Sequence, residues 1–228
     1  MRVAGLNWMQ VEEQIGRDDR AVLPIGSTEQ HAYLSLATDA ILAERIAADA
    51  AEPLGVPVFP VMAYGITPTF MAYPGTISLR VETLCAFIRD ALDSLHAHGF
   101  RRVLVVNGHG GNAPAQSAVY EWLGAHADTK VKWHNWWNSP RVLAQVKATD
   151  PLASHASWME NFPWTRLAGV IVPERHKPST PRTSDDPQQV RKAAGDGSFG
   201  GWYSRPDEDV MRVWRTGVEE TREVLADL

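Results

Sequence analysis

Four residues of this chain have the chemistry of metal ligands. Glu29 and His31 lie in Gly26-Ser27-Thr28-Glu29-Gln30-His31, Asp39 follows shortly after, and His109 sits in Asn107-Gly108-His109-Gly110-Gly111-Asn112. Carboxylate oxygens and imidazole nitrogens are the donors that Zn²⁺, Mn²⁺ and Fe²⁺ accept. On an extended segment, residues i and i+2 project to one side, so Glu29 and His31 point into one cleft while Gln30 turns away. Asp39 has two oxygens with which to bridge two ions, and His109 would complete the shell of one of them. The competing assignment is an N-capping aspartate, a surface glutamate and two histidines satisfied by loop carbonyls. The grouping of all four at two strand ends favours the metal.

The elements that must position them are legible as short aliphatic runs alternating with helical patterns. Ala21-Val22-Leu23-Pro24-Ile25 precedes the first motif and Val103-Leu104-Val105-Val106 the second. In open α/β sheets, ligands gather beyond the carboxyl ends of strands. A strand is expected over 20–26, then a helix capped by Thr38-Asp39-Ala40 and running to about 51. Val56 to Val61 is extended and broken by prolines. Val81, Leu84, Cys85, Ile88, Leu92 and Leu95 recur at helical spacing, and Gly99 can stop that helix. Strands follow at 102–106 and 130–135, a helix at about 113–125, another strand at 168–173 and a closing helix at 207–227. This alternation predicts an α/β fold with a mostly parallel sheet flanked by helices on both faces. With no internal repeat and no linker break, residues 1–228 are expected to form a single domain. Residues 174–206, rich in Pro, Gly, Ser, Arg and Asp, read as one long loop of the kind that is usually functional or disordered.

Composition narrows the function classes. Apolar residues make up 44% of the 228 and charged residues 21%, and the net charge is −5. That balance offers no electrostatic case for nucleic acid or an anionic membrane. The single cysteine, Cys85, cannot form an internal disulfide and sits on the apolar side of its helix, as core. No apolar run reaches the roughly 18 residues of a transmembrane helix and no signal pattern opens the chain, so the expected compartment is the cytoplasm. Gly108, Gly110 and Gly111 match neither the Walker pattern nor G-x-G-x-x-G, so a nucleotide is the lesser reading. Gly110 and Gly111 are instead expected to let the backbone approach a bound substrate. No G-x-S-x-G elbow supports Ser27 as a nucleophile.

Taken with Tyr73-Pro74-Gly75-Thr76-Ile77-Ser78-Leu79 and His155-Ala156-Ser157-Trp158-Met159-Glu160, the first two motifs resemble, in order, those of the creatininase family. Gly195-Asp196-Gly197 resembles a weaker C-terminal element. The resemblance implies a creatininase-like three-layer α/β architecture, a two-metal hydrolytic site using Zn, Mn or Fe, and homo-oligomers, often hexamers. It implies that Glu29 and His109 bind one ion, His31 the other, and Asp39 both. In creatininase itself a glutamate inside the Asn-Gly-His motif also holds the second ion. Here that position is Gly111, so Glu160 is the candidate replacement. His155 matches a histidine assigned to proton transfer, and Ser78 falls in a block near the substrate. The family's Glu-Gln-His-Gly-Pro-His-Leu-Pro-Leu-x-Thr-Asp becomes, one residue shorter, Glu29-Gln30-His31-Ala32-Tyr33-Leu34-Ser35-Leu36-Ala37-Thr38-Asp39, and Asn161-Phe162 replaces the usual Thr-Ser. These departures suggest a substrate other than creatinine.

Of nine tryptophans, Trp133, Trp136, Trp137, Trp158 and Trp164 cluster in one stretch. Most are expected in a core or a subunit interface, with at least one of Trp136, Trp137 or Trp158 on the pocket wall, Trp158 foremost. Arg175, His176, Lys177 and Arg182 form a basic stretch whose default is a solvated face, with an anionic substrate as the alternative. Two function classes result. The leading one is a metal-dependent amidohydrolase that cleaves the C–N bond of a small cyclic amide or formamide with a water activated between two divalent ions about 3.5–4 Å apart. The other is a noncatalytic or nucleotide-binding α/β module with a structural metal.

Overall fold

The computed structural model describes residues 1–228. Three parallel strands form its sheet in the order β1 (Arg20–Ile25), β2 (Arg102–Asn107), β3 (Lys130–Asn135), with Ile25, Asn107 and Asn135 level at the carboxyl edge. The 57–62 segment runs alongside β1, touching it through isolated bridges at Val58 and Met62, because Pro57 and Pro60 lack the amides for a continuous ladder.

The pleat sorts the aliphatic runs onto two faces. Ala21, Leu23, Ile25, Val103 and Val105 pack with Leu84, Ile88, Leu92, Val119 and Trp122. These come from α3 (Val81–Ala97) and α4 (Ala113–Leu123). Val22, Leu104 and Val106 face the opposite way, against α2 (Thr38–Ala51), α5 (Pro140–Thr149) and α7 (Asp207–Ala226). The result is a three-layer α/β/α arrangement, and burial of β1 and β2 on both faces explains why their sequences are almost continuously apolar. A further helix, α1 (Trp8–Ile15), opens the chain with an Asn7–Gln10 capping box. No helix is long and apolar enough to cross a membrane.

Three expectations are corrected. Residues 168–173 are not a strand: the chain turns at 168–169, 170–173 make no β-pairing, and Ile171 is 88% exposed. The 174–206 segment is not one loop. It carries a short antiparallel pair, β4 (His176–Lys177) with β5 (Gly201–Trp202), and α6 (Pro187–Ala194), capped by Asp186 on the Gln189 amide. Asp150 secures the pair by accepting from His176 and from the Trp202 amide. Thr38 is not the cap of α2: Ala37 stands in that position and makes no side-chain capping bond.

His134 on β3 is buried beneath α7, with Thr221 Oγ1 at 3.0 Å as its partner. Burial lowers its pKa from 6.5 to about 4, with Glu220 opposing. Below pH 6.5 the unfolded chain therefore binds a proton that the folded chain refuses, so stability falls as pH drops toward 4. His134→Gln is expected to remove about 2 kcal/mol of the loss between pH 7 and 5. Urea midpoints at both pH values check this, and equal acid sensitivity in the two proteins would contradict it.

Candidate metal centre

The carboxyl edge of the sheet delivers the donors. β1 runs into Gly26, Ser27, Thr28 and then Glu29 and His31; β2 ends at Asn107, two residues before His109; α2 brings Asp39 in its first turn. The start of α2 reaches this edge because Gly26 has no side chain: a Cβ there would lie 2.5 Å from Ala40 Cα. His155 and Glu160 enter from a third direction, through the turn leading into a 3-10 helix at Trp158–Glu160. The only two non-glycine residues with positive φ, Ala32 at 50° and Ala156 at 58°, directly follow His31 and His155. Each costs roughly 1–2 kcal/mol of backbone strain. Such strain persists where the surroundings fix a side chain's aim, and Ala32 stands where the family pattern has glycine.

Two groups of donors meet at one aspartate. Asp39 Oδ2 lies 2.9 Å from His109 Nδ1, which is 3.4 Å from Glu29 Oε1. Asp39 Oδ1 lies 3.0 Å from His31 Nε2, which is 3.8 Å from Glu160 Oε2. Glu29, Asp39 and His109 thus form one compact triad, and His31, Asp39 and Glu160 another. Each histidine has its far nitrogen set against a main-chain carbonyl, His31 Nδ1 against Glu29 at 3.2 Å and His109 Nε2 against Ile66 at 2.9 Å. With one ring N–H given to the carbonyl, the other nitrogen is the one that faces the cluster, free to bind a metal that displaces its proton, the arrangement that orients metal-binding histidines. The loop carbonyls therefore do satisfy the histidines, but on one nitrogen only. Ser27 Oγ donates to Asp39 Oδ2 at 2.8 Å, and the Ala156 amide donates to Glu160 Oε2 at 2.6 Å.

The electrostatics of the cluster favour cations. Glu29, Asp39 and Glu160 are all buried, and neither Lys nor Arg pairs with them. Burial raises Glu160 to about 7 and also raises Glu29. Burial would lower His31 and His109, but the carboxylates around them, Asp39 foremost for His31 and Glu29 for His109, lift them to about 10 and about 9. Asp39 is pulled far below the usual carboxylate range by those histidines, against its own burial. Glu29 Oε2 is buried without a hydrogen-bond partner. Buried carboxylates with an orphaned oxygen and no basic side chain are what divalent ions compensate, so these residues fit a metal.

Glu29, Asp39, His109 and Glu160 floor a cavity of about 580 Å³ whose walls include Phe70, Gly110, Gly111, Trp137, His155 and Phe199; His31 is buried and does not line it. His155 packs on Phe70, with ring centroids 4.7 Å apart and planes 22° apart, and its Nδ1 is 3.7 Å from Glu29 Oε1. Burial lowers His155 to about 3, with His31 adding to the effect, so the ring is neutral.

Several expected site residues lie elsewhere. Trp158 is fully buried in the core with Trp136, because the 3-10 turn that aims Glu160 into the cavity aims Trp158 out of it; Trp137 is the tryptophan on the wall. Ser78 is not on the wall either: its Oγ accepts from the Thr67 amide and pins the 66–70 loop. Gln30 does turn away from the cluster, yet not to solvent. Its carbonyl lies 3.0 Å and its Nε2 2.9 Å from His155 Nε2, and Nε2 also donates to Gly197 O. Phe70, Lys147 and Phe199 were missed by sequence reasoning, since they reach the cavity from separate elements and carry no shared spacing, and so was the contact of Gln30 with His155. Of the basic stretch only Arg182 lines the cavity; His176 and Lys177 pair with Asp150 and Asp196, and Arg175 lies over Tyr203.

Gly111 is needed for the site's shape. A Cβ there would collide with Ile66 O and His109 Nε2, the two atoms that set the imidazole. Gly111→Ala is therefore expected to displace His109 and weaken metal binding at least tenfold, the scale seen when the partner that orients a metal-bound histidine is lost. Metal titration by calorimetry checks this; wild-type affinity in Gly111→Ala would contradict it.

The family model for creatininase, described as creatinine amidohydrolase, matches residues 4–223. Among curated relatives, the creatinine amidohydrolase of Pseudomonas putida is 32% identical over 114 residues, 47% of this chain and 44% of that enzyme, so the match reaches less than half of that relative's length. The mycofactocin precursor peptide peptidase of Mycobacterium ulcerans is 34% identical over 183 residues, 66% of this chain and 70% of that protein. Among solved structures, a mutant creatininase in its Zn–Zn form superposes with a TM-score of 0.82 at 22% identity, covering 99% of this chain and 97% of that one. That likeness establishes a shared fold, and the match over nearly the whole sequence establishes descent: this chain belongs to the creatininase family.

Proposed function

We propose that this protein is a metal-dependent amidohydrolase that uses two divalent ions to hydrolyse the C–N bond of a small cyclic amide or a formamide. The observation that carries this reading is the division of Asp39, one oxygen toward Glu29 and His109 and the other toward His31 and Glu160. Glu29 and His109 would hold one ion, His31 and Glu160 the other, and Asp39 both. When bound, such ions polarise a carbonyl oxygen and lower the pKa of water toward neutrality. The Zn–Zn form of the compared creatininase supports a pair of ions here.

The chain's own groups supply the rest. A neutral His155 beside the cluster can take a proton at Nδ1 and deliver it to the departing nitrogen. Gln30 suits that role, since its main-chain carbonyl accepts from Nε2–H and so leaves Nδ1 as the nitrogen that takes and gives up the proton. Phe70 against the ring keeps bulk water from that face and fixes the direction of transfer. Gly110 and Gly111 let the substrate approach the backbone at the cavity wall.

Residues 1–228 acting as one cytoplasmic unit and assembling into homo-oligomers belong to the same reading. Trp8, Met9 and Ile171, at 70%, 53% and 88% exposure, support an interface between copies.

Metal removal separates this function from that of a noncatalytic module. Chelation is expected to abolish hydrolysis of lactams or formamides by about 10³-fold or more, the several kcal/mol of polarisation that ions supply. Re-addition of Mn²⁺, Zn²⁺ or Fe²⁺ is expected to restore it. Turnover unchanged by chelation, or metal bound with no hydrolysis across both substrate classes, would contradict the proposal.

A further inference from the structure

The charged groups lining the cavity are unevenly spread. All its acids, Glu29, Asp39 and Glu160, belong to the floor cluster, and the two remaining charges are both cationic, Lys147 and Arg182. Lys147, near the end of α5, donates to Pro151 O at 3.0 Å and Ala153 O at 2.9 Å and pairs with no carboxylate. An ammonium has three N–H donors, so one is unused. Arg182 engages through Nη2 alone, on Thr69 Oγ1 at 2.8 Å and Asp185 Oδ1 at 2.7 Å. Its Nη1 and Nε donors are free, and Asp185 is 87% exposed, where a single ion pair is worth little. Leu143, Val146 and Phe199 contribute apolar surface to the same cavity.

Resting on the proposed hydrolase reading, we infer that Lys147 and Arg182 form an anion subsite, and that the substrate is an amide carrying a carboxylate removed from the scissile C–N bond. A guanidinium fork and an ammonium are the groups that recognise a carboxylate, the fork by paired N–H donors and the ammonium as a point charge. A cavity of about 580 Å³ has room for such an extension beyond a single small ring, since ligand sites of this order bury whole drug-sized molecules. The two cations leave the floor to the ions and the amide, and fix which end of the substrate faces His155.

Metal-loaded protein would be titrated by calorimetry with pairs that differ only in charge: pyroglutamate against pyroglutamide, and N-formylglycine against N-formylglycinamide. The carboxylate member of at least one pair is expected to bind about tenfold more tightly, with the preference shrinking as salt rises. In K147M/R182M that ratio is expected to collapse to near unity, and K147R/R182K is expected to retain most of it, which separates charge from a folding defect. Equal affinities in the wild type, or no binding by either carboxylate member, would overturn the subsite. A preference persisting in K147M/R182M would also overturn it, by placing the carboxylate on the ions. Metal content of the same samples judges the hydrolase reading independently: absent ions would defeat that reading, whereas two ions with no charge preference would defeat only the subsite.

Discussion

Asp39→Ala is expected to lose both ions and at least 10³-fold of activity. Each triad has only three protein donors, and Asp39 supplies one to both, so its removal leaves Glu29 with His109 and His31 with Glu160. Zinc sites ordinarily keep at least three protein ligands, and two-ligand remnants would bind weakly. Glu160→Gln is the contrasting case, weakening the His31 site while the Glu29–His109 site stays filled. Metal analysis of both variants after dialysis checks this. Two ions retained in Asp39→Ala would mean that the shortened Glu29–Asp39 segment has moved the bridge to another residue.

His155→Ala is expected to keep both ions and lose about 10²- to 10⁴-fold in turnover, the range for a positioned acid–base group. The ring touches Glu29 Oε1 only at 3.7 Å and is held instead by Gln30 and Phe70, so its loss leaves both triads intact. Turnover and metal content measured on the same preparation test the split. Wild-type turnover would exclude His155 from proton transfer, and loss of an ion would make it a ligand with Glu29 and His31, the third donor grouping present.

The sequence revealed the site's floor better than its walls, for a physical reason. Val103 to Val106 and Ala21 to Ile25 are buried on both faces, so their apolarity marks strands, and the residues just past them must occupy the carboxyl edge. Glu29, His31 and His109 follow from that alone. His155 and Glu160 lie on a short irregular turn with no periodicity, and only the ordered family pattern pointed to them. The walls come from Phe70, Trp137, Lys147, Arg182 and Phe199, which tertiary packing brings together from five separate places. Residues 168–173 misled because an apolar run shows that a segment seeks cover without showing what covers it; here Val170 and Ile171 lie on the surface. Trp158 misled because neighbours on a 3-10 turn face different ways, so it packs into the core while Glu160 on the same turn lines the cavity.

The most direct test is the anomalous difference density of crystals grown with Mn²⁺. Two peaks are predicted, one contacted by Glu29 and His109 and the other by His31 and Glu160, with the Asp39 carboxylate shared between them. A single peak, or two peaks that do not share Asp39, would contradict the paired-ion centre.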